Sequence, residues 1–517
     1  MQRNLLEYLE LTAKRLPHKP AICSDEEQLS FSELMAEAKK IGSYLIKIAA
    51  YHEPVLIYMK KTPSMLAVML GIIYSRCYYV PMDDEMPDER VQKIITKTHA
   101  RYLITDNVEN FSAHQISYEG TILSLQSVKQ TEIQEELLKK VREKALDIDP
   151  IYLLFTSGST GEPKGVLGHH RGTVDYIDAI TGEIPFSEES IIGNQAPFYV
   201  DACMRDVFTT LKCGCTTWII PKENFLFPLK MIDYLNEKRI NTICWVASAL
   251  SLVSSMGTFE DAIPEYIRLI VSGSEVLSPK QYNLWRQALP EARFFNVYGP
   301  TETSGASTFF EVKGILDETK PIPIGRAFPN IEVFLLDGDT ELREIGKMGE
   351  ICIRGTGVTH GYFEEAERTK ERFVQDPRNH AYHERIYRTG DLAEYDQNGD
   401  LLFRGRADYQ IKHMGYRIEL GEIEAAAAAV VSECGCIHAA QNDKIVLFYS
   451  GDIGKRELTV LLKKVLPRYM MPNLIIKEDS LPHLSNGKLN RRGLLDRYQE
   501  SIEEKGRRQH SSRGNKR

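Results

Sequence analysis

Five stretches of this chain carry residue types that could handle a nucleotide. The first is Thr156-Ser157-Gly158-Ser159-Thr160-Gly161, followed by Pro163, Lys164 and Gly165 and preceded by the apolar Leu153-Leu154-Phe155. Glycines let backbone N–H groups converge on an anion, hydroxyls add donors, and a lysine adds a point charge. A buried strand running into such a loop predicts a phosphate cradle. It is not the usual P-loop, because Glu162 and Pro163 separate Gly161 from Lys164. The second stretch is Asn296-Val297-Tyr298-Gly299-Pro300-Thr301-Glu302 at a strand end, where ligands of open α/β sheets bind. Tyr298 could stack on a purine, the Thr301 hydroxyl could hold phosphate, and Glu302 could hold Mg²⁺. The third, Tyr387 to Leu392, places Asp391 where a carboxylate could accept from ribose hydroxyls. The fourth runs from Gly405-Arg406-Ala407-Asp408 through Lys412, Gly415 and Arg417 to Glu424. The fifth, Leu481 to Lys488, puts a lysine on a Gly turn; alone it reads as a solvated charge.

The elements that must position these groups follow from apolar periodicity. Apolar strands and helices alternate from Pro54 to Thr105 and again from Ile191 to Pro290, which predicts parallel sheets with helices on their faces. Ser30 caps a helix that begins in Leu29 to Leu34. The stretch Val108 to Asp149 reads as polar and helical. Beyond Tyr298 short strands separated by Gly-rich turns predict a β-rich subdomain. From about Asp408 a smaller strand–helix pattern begins. The expected fold is therefore α/β: two α/β sheet subdomains and a β-rich one in a large domain over 1–407, a small mobile α+β domain over 408–497, and a disordered basic tail over 498–517. A chain of 517 residues with 43% hydrophobic and 26% charged content is too long for one core. The net charge of −8 argues against nucleic acid as a partner. No stretch reaches the ~18 uncharged apolar residues of a membrane span, and the N-terminus reads as an amphipathic helix rather than a signal peptide. Nine cysteines, with Cys213/Cys215 and Cys434/Cys436 as C-x-C pairs, lack zinc-ligand spacing and read as reduced thiols of a cytoplasmic protein.

Taken together, the strings resemble the adenylate-forming (ANL) enzymes. They are similar to freestanding amino-acid adenylation domains of nonribosomal peptide synthetases and to D-alanine–carrier-protein ligases. The resemblance spans about residues 5 to 495 and includes Tyr79-Val80-Pro81, Gly349 to Gly355, and Leu466 to Pro472. It implies ATP and Mg²⁺ as cofactors, with no tightly bound organic group. The implied reaction joins a carboxylate to AMP with loss of pyrophosphate, then passes the acyl group to the phosphopantetheine thiol of a separate carrier protein. By resemblance, the loop Thr156 to Lys164 holds the β- and γ-phosphates, Thr301 and Glu302 serve phosphate and Mg²⁺, and Tyr298 stacks adenine. Gly273, Ser274 and Glu275 line that pocket with Asn296 and Gly299. Asp391 binds ribose with Arg406 nearby, and Lys488 bridges the α-phosphate and the substrate carboxylate. Asp408 matches the hinge, about which the segment around Gly415 would replace Lys488.

The resemblance also implies an α-amino acid substrate, with Asp201 taking its ammonium. Ala202, Arg205, Ala249, Ile270, Ser272, Val297 and Gly305 match the other wall positions. Arg205 favours an acidic or polar side chain; the alternative, with Arg205 paired to Asp206, leaves a small neutral amino acid. Two departures, Ser75-Arg76-Cys77 before Tyr79 and Cys203 in place of a common serine, touch no phosphate chemistry. The absence of a Gly-Gly-x-Ser attachment site predicts a freestanding enzyme. The rival readings are an acid–coenzyme A ligase and, outside enzymes, a degenerate nucleotide-binding module.

Overall fold

The structure is a computed structural model that describes residues 2–158, 162–254, 257–408, 410–440, 442–483 and 489–514, the residues from 503 on by backbone alone. Two largely parallel sheets form its body. One has the strand order Thr121–Ser124, Tyr102–Thr105, Pro54–Tyr58, Tyr78–Met82, Pro150–Thr156, Lys164–His169. Its last pair is antiparallel, with Thr156 facing Lys164. The strand Thr121–Ser124 lies within the stretch expected to be helical. Its apolar content is one Ile-Leu pair, too short to show a period.

The second sheet has nine strands. Its core strands Ile191–Asn194, Thr242–Val246, Leu269–Gly273 and Arg293–Tyr298 are parallel, and Thr308–Val312 and Arg326–Ala327 follow antiparallel to the edge. These strands read as near-continuous buried apolar runs because helices cover both faces. The helix Phe31–Lys47 starts on Ser30, which with Glu33 completes a reciprocal capping box. The β-rich region is a six-stranded antiparallel sheet built on Arg385–Tyr395.

The C-terminal portion consists of the hairpin Gln410–His413/Tyr416–Glu419, the helix Leu420–Ala428 and a three-stranded sheet. That sheet, Glu433–Ala439, Lys444–Ser450 and Leu474–Lys477, carries a core of its own including Ile418, Ile423, Leu447 and Leu458. The helix Arg491–Gly514 enters the stretch from 498 that was expected to lack structure. Its Glu, Lys, Arg and Gln residues are good helix formers despite their polarity.

Candidate functional site

The site is built on strand ends. Leu154, Phe155, Thr156 and Ser157 continue the strand Pro150–Thr156 into a cavity also lined by Asp201, Ser274, Gly299, Pro300, Thr301, Asp391 and Arg406. The turn after the strand Arg293–Tyr298 needs its glycine: a Cβ on Gly299 would sit 2.0 Å from the Gly305 carbonyl oxygen. Ser274 holds a left-handed φ of 67°, which turns the chain sharply beneath the cavity.

Asp391 and Arg406 are partners across adjacent strands. The Asp391 carboxylate accepts from the Tyr298 hydroxyl at 2.5 Å and from the Arg406 guanidinium. Arg406 also donates to both oxygens of Asp408, at 2.6 and 2.9 Å. Tyr298 is buried with Lys412 Nζ 5.1 Å above its ring, so this face is occupied by a cation. The Asn296 amide donates to the Pro323 carbonyl at 2.7 Å. Asp201 begins the helix Ala202–Cys213 without capping it. Its carboxyl lines the cavity instead, where burial raises its pKa and the Thr301 hydroxyl and Lys412 lower it.

Beneath Thr301 lies a buried charge cluster. Glu302 is fully buried, and its two oxygens accept from Arg417 Nη1 at 2.9 and 2.7 Å. The Tyr362 hydroxyl donates to it at 2.8 Å, and Lys164 Nζ lies 3.6 Å away. Burial raises the Glu302 pKa, but Arg417 and Lys164 outweigh it and hold the carboxyl well below the usual range. Burial and the neighbouring Arg417 pull the Lys164 ammonium down to about 7.

Arg417 arrives on the C-terminal hairpin, and that hairpin with the helix after it meets Ser157 and Gly158 at the start of the expected phosphate loop. Ser157 Oγ donates to the Arg417 carbonyl and accepts from Glu419 N–H at 3.2 Å. Gly158 N–H donates to Glu422 at 3.2 Å, and Glu422 is paired with Arg90 at 3.1 Å. At the hairpin tip, Gly415 N–H donates to Glu275 at 2.6 Å. Tyr416 stacks on Tyr469 with ring centroids 3.7 Å apart. A guanidinium thus sits on the carboxylate expected to hold Mg²⁺, and a carboxylate sits on an N–H expected to hold phosphate. Glu302 has the donor chemistry for Mg²⁺, but as arranged here both of its oxygens are taken by Arg417, so the pocket does not fit the ion in this arrangement.

Of the expected site residues, Thr156, Ser157, Asp201, Ser274, Gly299, Thr301, Asp391 and Arg406 come together on one cavity. Thr156 Oγ1 is buried there without a hydrogen-bond partner. Ser159, Thr160, Gly161 and Lys488 lie outside the described residues. Ala202, Ala249, Ile270, Ser272, Val297 and Gly305 are not among the residues lining the cavity, and Gly273 packs against Val297. Arg205 does not face the cavity either: its Nη2 donates to the Cys244 carbonyl at 3.1 Å, and its Nε lies 3.9 Å from Asp206. The geometry therefore does not carry the acidic-side-chain expectation, because a buried guanidinium requires an anion and the adjacent carboxylate provides one. Lys412, Tyr416, Arg417 and Glu422 belong to the fourth stretch, but the sequence assigns no individual role to them or to Tyr362. The string Gly415 to Glu424 was the available signal, but Arg417's partner lies more than a hundred residues away.

The family model described as "AMP-binding enzyme" matches residues 9–363. Among curated proteins, gramicidin S synthase 1 of Brevibacillus brevis is 30% identical over 95% of this chain and 44% of its own length. Tyrocidine synthase 1 of Brevibacillus parabrevis is 27% identical over 95% of this chain and 45% of its own. The chain therefore spans less than half the length of either relative. Among solved structures, IdnL1 superposes with a TM-score of 0.80 at 25% identity, over 93% of this chain and 99% of that one. The artificially fused adenylation–PCP di-domain NpsA-ThdA of Klebsiella oxytoca has a TM-score of 0.79 at 21% identity over 91% and 93%.

Proposed function

The chain belongs to the AMP-binding enzyme family, and from that premise we propose that it activates an amino acid with ATP and loads it onto a carrier protein. In the first half-reaction a substrate carboxylate oxygen attacks the α-phosphorus, the bond to pyrophosphate breaks, and aminoacyl-AMP forms. In the second, a phosphopantetheine thiol attacks the activated carbonyl and AMP leaves. The carboxylate is its own nucleophile, so the protein's work is positioning and charge stabilisation. Mg²⁺, when bound, would neutralise phosphate charge from Glu302. Asp391 and Arg406 hold the ribose side, Ser157, Thr301 and Lys164 hold phosphate oxygens, and Lys488 stabilises charge at the α-phosphate.

One observation carries this reading: a half-buried carboxylate, Asp201, lines the same cavity as the Asp391–Arg406 pair and the Ser157–Thr301 hydroxyls. That juxtaposition suits an α-ammonium beside an adenylate. We place the boundary between two domains at Asp408, with 1–407 fixed and 408–497 mobile. The docked hairpin belongs to the second half-reaction, since Arg417 must leave before a cation can reach Glu302. The carrier partner is drawn from the fused adenylation–PCP protein of similar fold. Among the described residues no helix is long and apolar enough to cross a membrane, and nine unpaired cysteines suit the reducing cytoplasm.

The test is ATP–pyrophosphate exchange across a panel of amino acids, aryl acids and fatty acids. Exchange is expected with one or a few amino acids only, and Asp201→Ala should abolish it while leaving the fold intact. Exchange driven by aryl or fatty acids alone would overturn the amino-acid reading.

A further inference from the structure

Away from the nucleotide cavity, His413, His438 and Asp443 converge in the C-terminal portion. His413 ends the first strand of the hairpin and is buried. His438 lies on the strand Glu433–Ala439, and Asp443 sits in the turn that leads to Lys444–Ser450. Asp443 Oδ1 is 3.1 Å from His413 Nδ1 and 2.8 Å from His438 Nε2. All three ligand atoms lie within 4.8 Å of one another. None of the three belongs to the expected catalytic apparatus.

We propose that His413, His438 and Asp443 form a binding site for a divalent transition-metal cation, with Zn²⁺ the best match. Two imidazole nitrogens and one carboxylate oxygen are a borderline-soft set that suits Zn²⁺ over Mg²⁺ or Ca²⁺. A tetrahedral ion with ~2.1 Å bonds spaces its donors ~3.4 Å apart. The spacings of 3.1 and 2.8 Å fall just inside that, so small side-chain rotations open the site to the ion. Asp443 is half exposed, with 49% of its side chain in solvent, which leaves a side for water as fourth ligand and a path of entry. Both imidazoles aim at one carboxylate oxygen, so a single ion between them replaces two hydrogen bonds with three coordinate bonds. The three residues follow the proposed hinge, so the site does not depend on docking. The ion would fasten the base of the hairpin that carries Lys412, Gly415 and Arg417 to the small sheet behind it.

The experiment uses the full chain without any histidine tag, treated with EDTA, loaded with Zn²⁺ and desalted. Metal content is read by plasma mass spectrometry and thermal stability by calorimetry. Wild-type protein should retain one Zn²⁺ per chain and melt at a higher temperature with it. The His438→Ala and Asp443→Asn variants, both altered at partly exposed positions that should tolerate change, should lose both effects. His114→Ala, at a separate His–Asp pair, should keep them. With Co²⁺ in place of Zn²⁺, wild type should show visible absorption bands of a tetrahedral site that His438→Ala lacks. No retained ion in wild type, or equal retention in His438→Ala, overturns the assignment.

Discussion

At the residue scale, Lys164 shows how a buried cation reports its surroundings. Its side chain is 5% exposed and its ammonium titrates at about 7, against an ordinary ~10.4. The unfolded chain keeps this proton up to ~10.4 and the folded one releases it near 7, so between those values the unfolded state binds more protons. This group therefore makes the free energy of unfolding rise with pH across that window. Urea midpoints measured from pH 7 to pH 9 should climb less steeply in Lys164→Met than in wild type; parallel profiles would show that Lys164 keeps an ordinary affinity for its proton. A lysine after a Gly-rich loop suggests a phosphate-binding group on sequence. Its depressed affinity was not, because that comes from Arg417 and burial, neither of which local spacing encodes.

At the element scale, the hairpin Gln410–Glu419 and the helix Leu420–Ala428 act as one docking unit. Glu422 holds it to the phosphate loop through Gly158 N–H and to the helix Asp88–Thr98 through Arg90. Both members of that pair are almost fully buried, so removing Arg90 leaves a carboxylate without its cation at a cost of about 3–5 kcal/mol. Arg90→Ala should release the unit, and small-angle scattering should record a larger radius of gyration than for wild type. An unchanged profile would mean that other contacts suffice to hold it. The strand and helix content of this region was readable from its apolar pattern. The same string could not say where the hairpin rests, since docking depends on groups several hundred residues away in sequence. Arg205 is the converse case: of the two readings its type allowed, the structure places its Nε 3.9 Å from the carboxylate of the next residue, Asp206.

At the scale of the whole molecule, the two parallel sheets and the antiparallel sheet followed from alternating apolar runs, and the match to the AMP-binding enzyme family agrees with them. Residues of four of the five strings meet on one cavity, because strand ends are where such folds place ligands. The relation of the C-terminal portion to the rest was not, since a small docked portion is held by a few polar contacts rather than by a shared core. Lys488 belongs to this scale, as it is expected to act from one domain on chemistry held by another. Lys488→Ala should lower the ATP–pyrophosphate exchange rate by about 10²–10³-fold with unchanged circular dichroism; wild-type exchange would remove it from the mechanism.

The loop that carries Glu302 is closed at both ends. Tyr298 and Thr308 are paired across antiparallel strands, Ser307 N–H donates to the Tyr298 carbonyl at 2.7 Å, and Thr359 N–H donates to the Glu302 carbonyl at 3.0 Å. Glu302 is thus a fixed datum, while Arg417 is delivered to it on a separate unit. The ion pair is lopsided as a result: one partner is a coordinate of the scaffold and the other is cargo. Under the proposed motion, departure of the hairpin would leave the address standing for the next cation, and the enzyme would be reset without being rebuilt.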